Sequence, residues 1–269
     1  MNLKRIYAVF LRQFYLIRGN PTRLISLFLW LTIEVIQWGF IRKYLSTFNL
    51  ESFSFVTVIL GAIILWEFMN RIQSGVMVSF LEDIWSQNFI NYFASPLKTG
   101  EYLAGLILTS IGMGVIGLAI MIIIAGLGFG YSVFLIGLML LPFLVILFIF
   151  GIAMGIFISA LIFRLGPTAE WLGWPMLFII SIFSGVFYPV STLPLLMQTL
   201  AKIIPPTYVF ESLRAILTTG TYADGLALNL IIGAALSFAA LLIAYAYFLR
   251  VYRRNLKTGQ IARFGAEDV

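Results

Sequence analysis

The chain has 269 residues, of which 61% are hydrophobic and only 10% are charged, and its formal net charge is +6. A soluble domain carries roughly 25% charged residues, and a water-soluble fold of this length cannot bury so much apolar surface. The absence of cysteine and histidine excludes disulfides, imidazole bases and nearly all zinc or haem sites, and basic residues beside apolar stretches suit anionic membrane lipids better than nucleic acid.

This composition predicts an all-α integral membrane protein, and its first segment, residues 1–20, has the pattern of an interfacial helix. Bulky apolar side chains recur within one arc at helical spacing, while Arg5 and Arg12 lie on the opposite side. Such a helix lies flat at the level of the lipid headgroups, although packing against a cytosolic partner would give the same pattern. The apolar side chains are Leu3, Ile6, Tyr7, Phe10, Phe14 and Ile17.

Six apolar segments follow, and each is predicted to cross the bilayer as a helix, because a hydrocarbon core about 30 Å thick needs roughly 20 apolar residues. With six spans, both chain ends and the tail 250–269 lie on one side, together with thirteen of the seventeen basic residues. The positive-inside rule makes that side cytoplasmic, so we expect a multi-pass protein of the bacterial inner (plasma) membrane with both termini inside. The predicted spans are about 24–41, 53–69, 103–126, 133–162, 171–189 and 226–249.

Two polar residues, Glu34 and Gln37, lie on nearly the same face of the first predicted span. Ionisable groups at membrane depth are costly and indicate function by default. Two interpretations stay open: contacts in a substrate pathway or at a dimer seam, or hydrogen-bonded struts to another helix. Glu67 and Arg71, spaced i,i+4 at the inner end of the second span, are predicted to form an ion pair.

Residues 79–94, between the second and third spans, are predicted to form a short helix at the inner membrane surface. Its side chains recur at helical spacing, two acidic residues occupy the favourable first turn, and Ser95-Pro96 ends it. One face is expected to contact lipid headgroups, and the other is available to a cytoplasmic partner. The candidate docking residues are Leu81, Glu82, Asp83, Ile84, Trp85, Asn88 and Tyr92.

In the fourth span, Gly151 and Gly155 are spaced as GxxxG, a weak motif that permits close helix approach. The outer segment 190–220 is predicted to form two short helices that enter the outer leaflet and return, because neither piece is long enough to span. Pro194 suits the start of the first helix, and Pro205-Pro206 separates it from the second. The second helix is predicted to run from Tyr208 to about Thr218, and Gly220 can end it.

The chain contains no Gly-rich loop followed by Lys-Ser/Thr, so it binds no nucleotide through a P-loop. No nucleophile and base constellation stands out. An intramembrane enzyme and a non-transporting membrane scaffold remain the alternatives to a transporter.

The stretch FSGVFYPVSTLPLLMQTLAKIIPPTYVFESLR, residues 183–214, resembles a pattern found in membrane permease subunits of type-2 ATP-binding cassette (ABC) exporters. Those subunits include O-antigen and teichoic-acid permeases, and ABCG-type transmembrane domains share their fold. A weaker match joins Arg71 and Gly75 to Ser95-Pro96-Leu97, and the layout is similar over nearly the whole chain. The matching residues, which would form an outer gate, are Pro189, Pro194, Pro205, Pro206, Tyr208, Glu211 and Arg214.

The resemblance implies a permease half of an ATP-driven exporter that is not itself an enzyme. Two copies would form a dimeric pathway for an amphiphilic substrate, such as a lipid-linked glycan, a lipid or a drug. Each copy would dock one of two cytoplasmic ABC ATPase subunits through residues 79–94, and those subunits, rather than this chain, would bind ATP and Mg. Glu34 and Gln37 would lie near the seam, where the first span meets the fifth span of the other protomer.

Overall fold

The computed structural model describes residues 1–19, 21–45, 53–86, 88–219 and 225–258, and every regular element within these ranges is a helix. Two 3-10 helices, Val133–Met139 and Pro167–Leu172, lie at the starts of the fourth and fifth predicted spans. The helices are α1 Leu3–Arg18, α2 Pro21–Leu45, α3 Phe53–Trp85, α4 Phe89–Ala94, α5 Thr99–Phe129, α6 Leu140–Leu165, α7 Gly173–Ser184, α8 Leu195–Ala201, α9 Pro205–Thr219 and α10 Leu226–Thr258.

The centre of the bundle is the seam between α3 and α6. A Cβ atom added at Gly155 would lie 2.7 Å from the Val76 Cβ atom, and one added at Gly151 would lie 3.0 Å from the Met69 carbonyl oxygen. Glycines four residues apart share one helix face, so both allow the α6 backbone to approach α3. The close approach predicted from GxxxG is therefore confirmed.

The other helices surround this seam. α5 packs on α3, where the Ser110 hydroxyl donates to the Ile72 carbonyl at 2.6 Å. α10 packs on α6, where the Ser237 hydroxyl donates to the Ile146 carbonyl at 3.3 Å. α2 contacts α5 and α3, while α7 packs mainly on α8, α9 and the 3-10 turn before it. Because α7 packs on this outer group, a space is left between α2, α3 and α7.

Within the described residues, three helical stretches are long and apolar enough to cross a bilayer. They are Thr99–Phe129, Val133–Leu165 and Leu226–Thr258, which coincide with the third, fourth and sixth predicted spans. The other three predicted spans fall on α2, α3 and α7. The first two are α-helical over their predicted bounds, whereas α7 ends at Ser184, five residues before the predicted end of the fifth span. That these three helices cross the membrane stays a prediction. The tail beyond residue 258 lies outside the described residues.

The cytoplasmic helix predicted over 79–94 is divided in two, so its predicted bounds are wrong. Residues 79–85 form the last turns of α3, which ends where the Asn88 N–H bonds the Asp83 carbonyl at 3.0 Å, and the chain restarts as α4. The apolar face of α3 continues past the predicted boundary, because Phe80 packs between the rings of Phe163 and Phe248. Phe89 of α4 joins the same aromatic cluster.

The outer segment contains two short helices, as predicted. α8 follows Pro194 and has seven residues. α9 begins at Pro205 rather than at Tyr208, because proline fits the first turn of a helix, where its missing N–H has no intrahelical partner. The predicted end at Gly220 lies outside the described residues.

Candidate functional site: a cavity between three helices

A cavity of about 710 Å³ lies between α2, α3 and α7. Along α3 its lining runs from Ile63 to Trp85, roughly 33 Å of helix at 1.5 Å per residue. This length matches a hydrocarbon core about 30 Å thick. At one end, the ring of Trp38 from α2 stacks on Phe187, which follows α7, with centroids 5.6 Å apart. The cavity therefore extends along the molecule in the direction of its longest helices.

Tryptophan side chains form much of the cavity wall. Trp171, which is 73% exposed elsewhere, is the only one of the six tryptophans of the chain that does not line it. Indole rings offer wide, flat apolar faces with one polar N–H each, so the wall suits an amphiphilic ligand. The lining tryptophans are Trp30, Trp38, Trp66, Trp85 and Trp174.

Polar side chains enter the same cavity near the middle of α3. Glu67 is 4% exposed, accepts a hydrogen bond from Asn70 at 2.7 Å, and lies beside the carboxyl group of Glu34 on α2. Arg71 is 8% exposed, and its Nε atom has no hydrogen-bond partner. The side chains of Glu67 and Arg71 do not come within 4.0 Å as an ion pair, so this prediction is wrong, and only a longer-range attraction acts between them.

Glu34 and Gln37 both line the cavity, with Glu34 half-buried and Gln37 exposed. The structure therefore brings together the two polar residues of α2 and the polar residues of α3. Sequence reasoning did not identify the tryptophans, although a signal was present. Trp30, Glu34 and Trp38 recur at i, i+4 and i+8 and so share one face of a helix.

A second polar cluster, centred on the buried carboxylate of Asp83, lies at the cytoplasmic end predicted for α3. Arg12 of α1 forms an ion pair with it. Tyr102 of α5 donates a hydrogen bond to it at 2.7 Å, and Gln13 and Tyr92 donate at 3.4 Å each. Burial and the Asp83 charge raise the pKa of Tyr92 to about 12, so this phenol remains a neutral donor. Asp83 thereby joins α1, α3, α4 and α5; we call this group the Asp83 cluster.

The family of the chain follows from a comparison with protein-family models. The model described as ABC-2 type transporter matches residues 4–218, which include both the cavity and the Asp83 cluster. The chain belongs to the ABC-2 type transporter family. It is accordingly a membrane permease component, and membership implies an ABC ATPase as its general partner. No curated protein matches the chain.

Several predicted docking residues of this ABC-2 permease lie inside its own fold. Leu81 and Ile84 are each 2% exposed, and Asp83 is fully buried. Glu82, Asn88 and Tyr92 are partly buried, and Trp85 is 54% exposed. Among the residues of this segment whose burial is described, the surface offered to a partner therefore consists mainly of Trp85, Ser86, Asn91, Ser95 and Pro96.

The residues predicted for the outer gate close a turn of the permease. The Val190 N–H donates to the Glu211 carboxylate at 2.9 Å, and the Arg214 guanidinium donates to the Gly185 carbonyl at 2.8 Å. Gly185 has a φ of +71°, a conformation that favours glycine. α9 thereby holds the turn after α7 at both of its ends.

The remaining gate residues flank this turn. The Tyr208 hydroxyl donates to the Lys202 carbonyl at 2.7 Å and ties α9 to the end of α8. Pro189 and Pro194 lie in extended backbone on either side of a 3-10 turn, while Pro205 and Pro206 begin α9.

Proposed function

We propose that two copies of this permease form the translocation pathway of an ATP-driven exporter of amphiphilic cargo in the bacterial inner membrane. In this proposal α2, α3, α5, α6, α7 and α10 cross the bilayer, both termini are cytoplasmic, and α8 and α9 enter the outer leaflet as a gate. The observation that carries the proposal is the cavity with Glu34, Glu67 and Arg71 along its wall.

The dimer follows from what borders the cavity. Ionisable groups do not face lipid at membrane depth without protein or water beside them. Apolar side chains on α2 and α7 stand exposed next to the cavity, including Ile33 at 46% and Phe178 at 71%. A second copy that packs on these edges would separate the polar wall from lipid and close a central path.

Coupling to the ATPase follows from the Asp83 cluster. The exposed residues of the segment 85–96 form the proposed docking surface, and the cluster fixes this segment to α3, which lines the cavity. Closure of two ATPase subunits on ATP would then move the docking segments together and shift the pathway between two states.

Disulfide cross-linking of co-expressed protomers tests the dimer, since the chain has no cysteine of its own. One protomer carries Ile33→Cys and the other carries Phe178→Cys. Oxidation in membranes should give a cross-linked heterodimer in high yield. The control replaces Phe178→Cys with Ile123→Cys, which lies on the exposed side of α5 at 56% exposure. Equal yields from the two pairs would contradict the proposed seam.

A further inference from the structure

The geometry points to a lipophilic cation as the cargo class of this cavity, an inference that rests on the proposed function. Its charges, its aromatic wall and its size each support this assignment.

The charges of the lining favour a positive ligand. Two carboxyl groups, those of Glu34 and Glu67, face the cavity, against the single guanidinium of Arg71. Glu67 and Arg71 are both buried on α3, whereas Glu34 is half-buried at the cavity surface. The Oδ1 atom of Asn70 is a buried acceptor without a hydrogen-bond partner. The Nε atom of Arg71 is likewise a buried donor without a partner. Glu34 is thus the most exposed ionisable side chain of the described lining.

The aromatic wall of the cavity also attracts a cation. The face of an indole ring carries the negative part of its quadrupole and attracts a cation by about 0.5–2 kcal/mol. Trp30 lies one turn before Glu34, and Trp38 lies one turn after it. A cation near Glu34 would therefore meet a carboxyl group and indole faces together, whereas an anion at the same place would be repelled by that carboxyl group.

The size of the cavity fits a drug-sized organic ion. Its volume of about 710 Å³ falls within the roughly 300–1,000 Å³ that small-molecule sites occupy. Apolar walls at membrane depth also require a cation whose charge is shielded by apolar groups, because a bare ion would lose its hydration. The cargo class is accordingly a cation surrounded by hydrocarbon or aryl groups.

A pair of probe ions of nearly equal size and opposite charge tests this inference. Tetraphenylphosphonium and tetraphenylborate are titrated against the full-length permease in nanodiscs, with binding followed by tryptophan quenching and corrected with empty nanodiscs. We expect saturable binding of tetraphenylphosphonium at least tenfold tighter than that of tetraphenylborate. Equal affinity, or tighter binding of the borate, would overturn the inference.

Substitutions locate the binding within the cavity. Glu34→Gln, which preserves the side-chain size, should weaken phosphonium binding about tenfold, and Gln37→Glu, which adds a carboxyl group one turn away, should strengthen it. Trp30→Leu should weaken it about fivefold, in line with loss of one cation–π contact, and the matched control Trp171→Leu should not change it. Unchanged affinity in Glu34→Gln and Gln37→Glu together would refute the assignment.

This binding experiment does not depend on the dimer or on the ATPase. A permease that cross-links through Ile33 and Phe178 but binds no phosphonium would retain the proposed function and lose only the cargo class. Phosphonium binding without cross-linking would support the cargo class and contradict the proposed dimer.

Discussion

At the residue scale, Asp83 shows how one buried charge can organise a surface. Its carboxylate is fully buried, yet it is satisfied by a guanidinium, an amide and two phenols from three other helices. A buried ion pair contributes little net stability by itself, but loss of one partner leaves an uncompensated charge, which costs roughly 3–5 kcal/mol. Asp83 therefore specifies how α1 and α4 sit on the bundle.

We expect Asp83→Asn to lower the free energy of unfolding by about 3 kcal/mol, because Arg12 then loses its buried counter-charge. The measurement is denaturant unfolding of the purified permease in detergent. Glu170→Gln, the same chemical change at a partly buried carboxyl group outside the cluster, serves as the control and should change stability by less than about 0.5 kcal/mol.

A double-mutant cycle sharpens this test. Arg12→Met combined with Asp83→Asn should destabilise the protein by less than the sum of the two single changes, because the two side chains act as a pair. If the two changes in unfolding free energy simply add, Arg12 and Asp83 do not interact.

At the element scale, the seam between α3 and α6 depends on two small residues. At Gly155 an added Cβ atom would lie 2.9 Å from the Gln73 carbonyl oxygen as well as close to Val76. Carbonyl oxygens of a helix cannot rotate away as a side chain can, so the helices themselves must separate. Loss of contact along such a seam would extend over several turns of both helices.

We expect Gly155→Ala to destabilise the permease by about 1–3 kcal/mol through overpacking. Gly112→Ala is the matched control, since Gly112 is also inside a helix but an added Cβ atom there meets nothing within 4 Å. Alanine has the higher helix propensity, so the control should be neutral or slightly stabilising. The measurement is the melting temperature of each variant. A Gly155→Ala protein as stable as Gly112→Ala would argue against a tight seam between α3 and α6.

At the scale of the whole molecule, the two ends of the bundle have different tasks in the proposed function. The end with α4 carries the Asp83 cluster and the exposed docking segment, while the opposite end carries the turn held by Glu211 and Arg214. ATP-driven transport requires that only the first end meets the ATPase.

We therefore expect the double change Asn91→Lys and Ser95→Lys to reduce co-purification of a co-expressed ABC ATPase from the same genome at least tenfold. Both side chains are exposed, so the permease itself should remain folded. Ser191→Lys with Thr192→Lys places the same charges at the opposite end and should leave co-purification unchanged. If both double variants retain the ATPase, the docking surface lies elsewhere.

The sequence predicts part of this structure and misses the rest for identifiable reasons. Hydropathy locates the helices because each span is apolar along its own length. The GxxxG spacing predicts a close helix approach at Gly151 and Gly155, although it does not identify α3 as the partner. The boundary between α3 and α4 is missed, because residues 79–94 keep one helical pattern across the break. The burial of Asp83 depends on Arg12, far away in the chain, so a local pattern places it on an exposed first turn.

The length of α3 has one mechanical consequence. Its 33 residues form a rod about 50 Å long at 1.5 Å per residue, and the glycine contacts press on it near its midpoint, at Met69 and Val76. Because α3 is held near its midpoint, a sideways force on its Trp85 end would move its Phe53 end in the opposite direction. Such a movement of α3 as one rigid helix would open one end of the cavity while it closes the other.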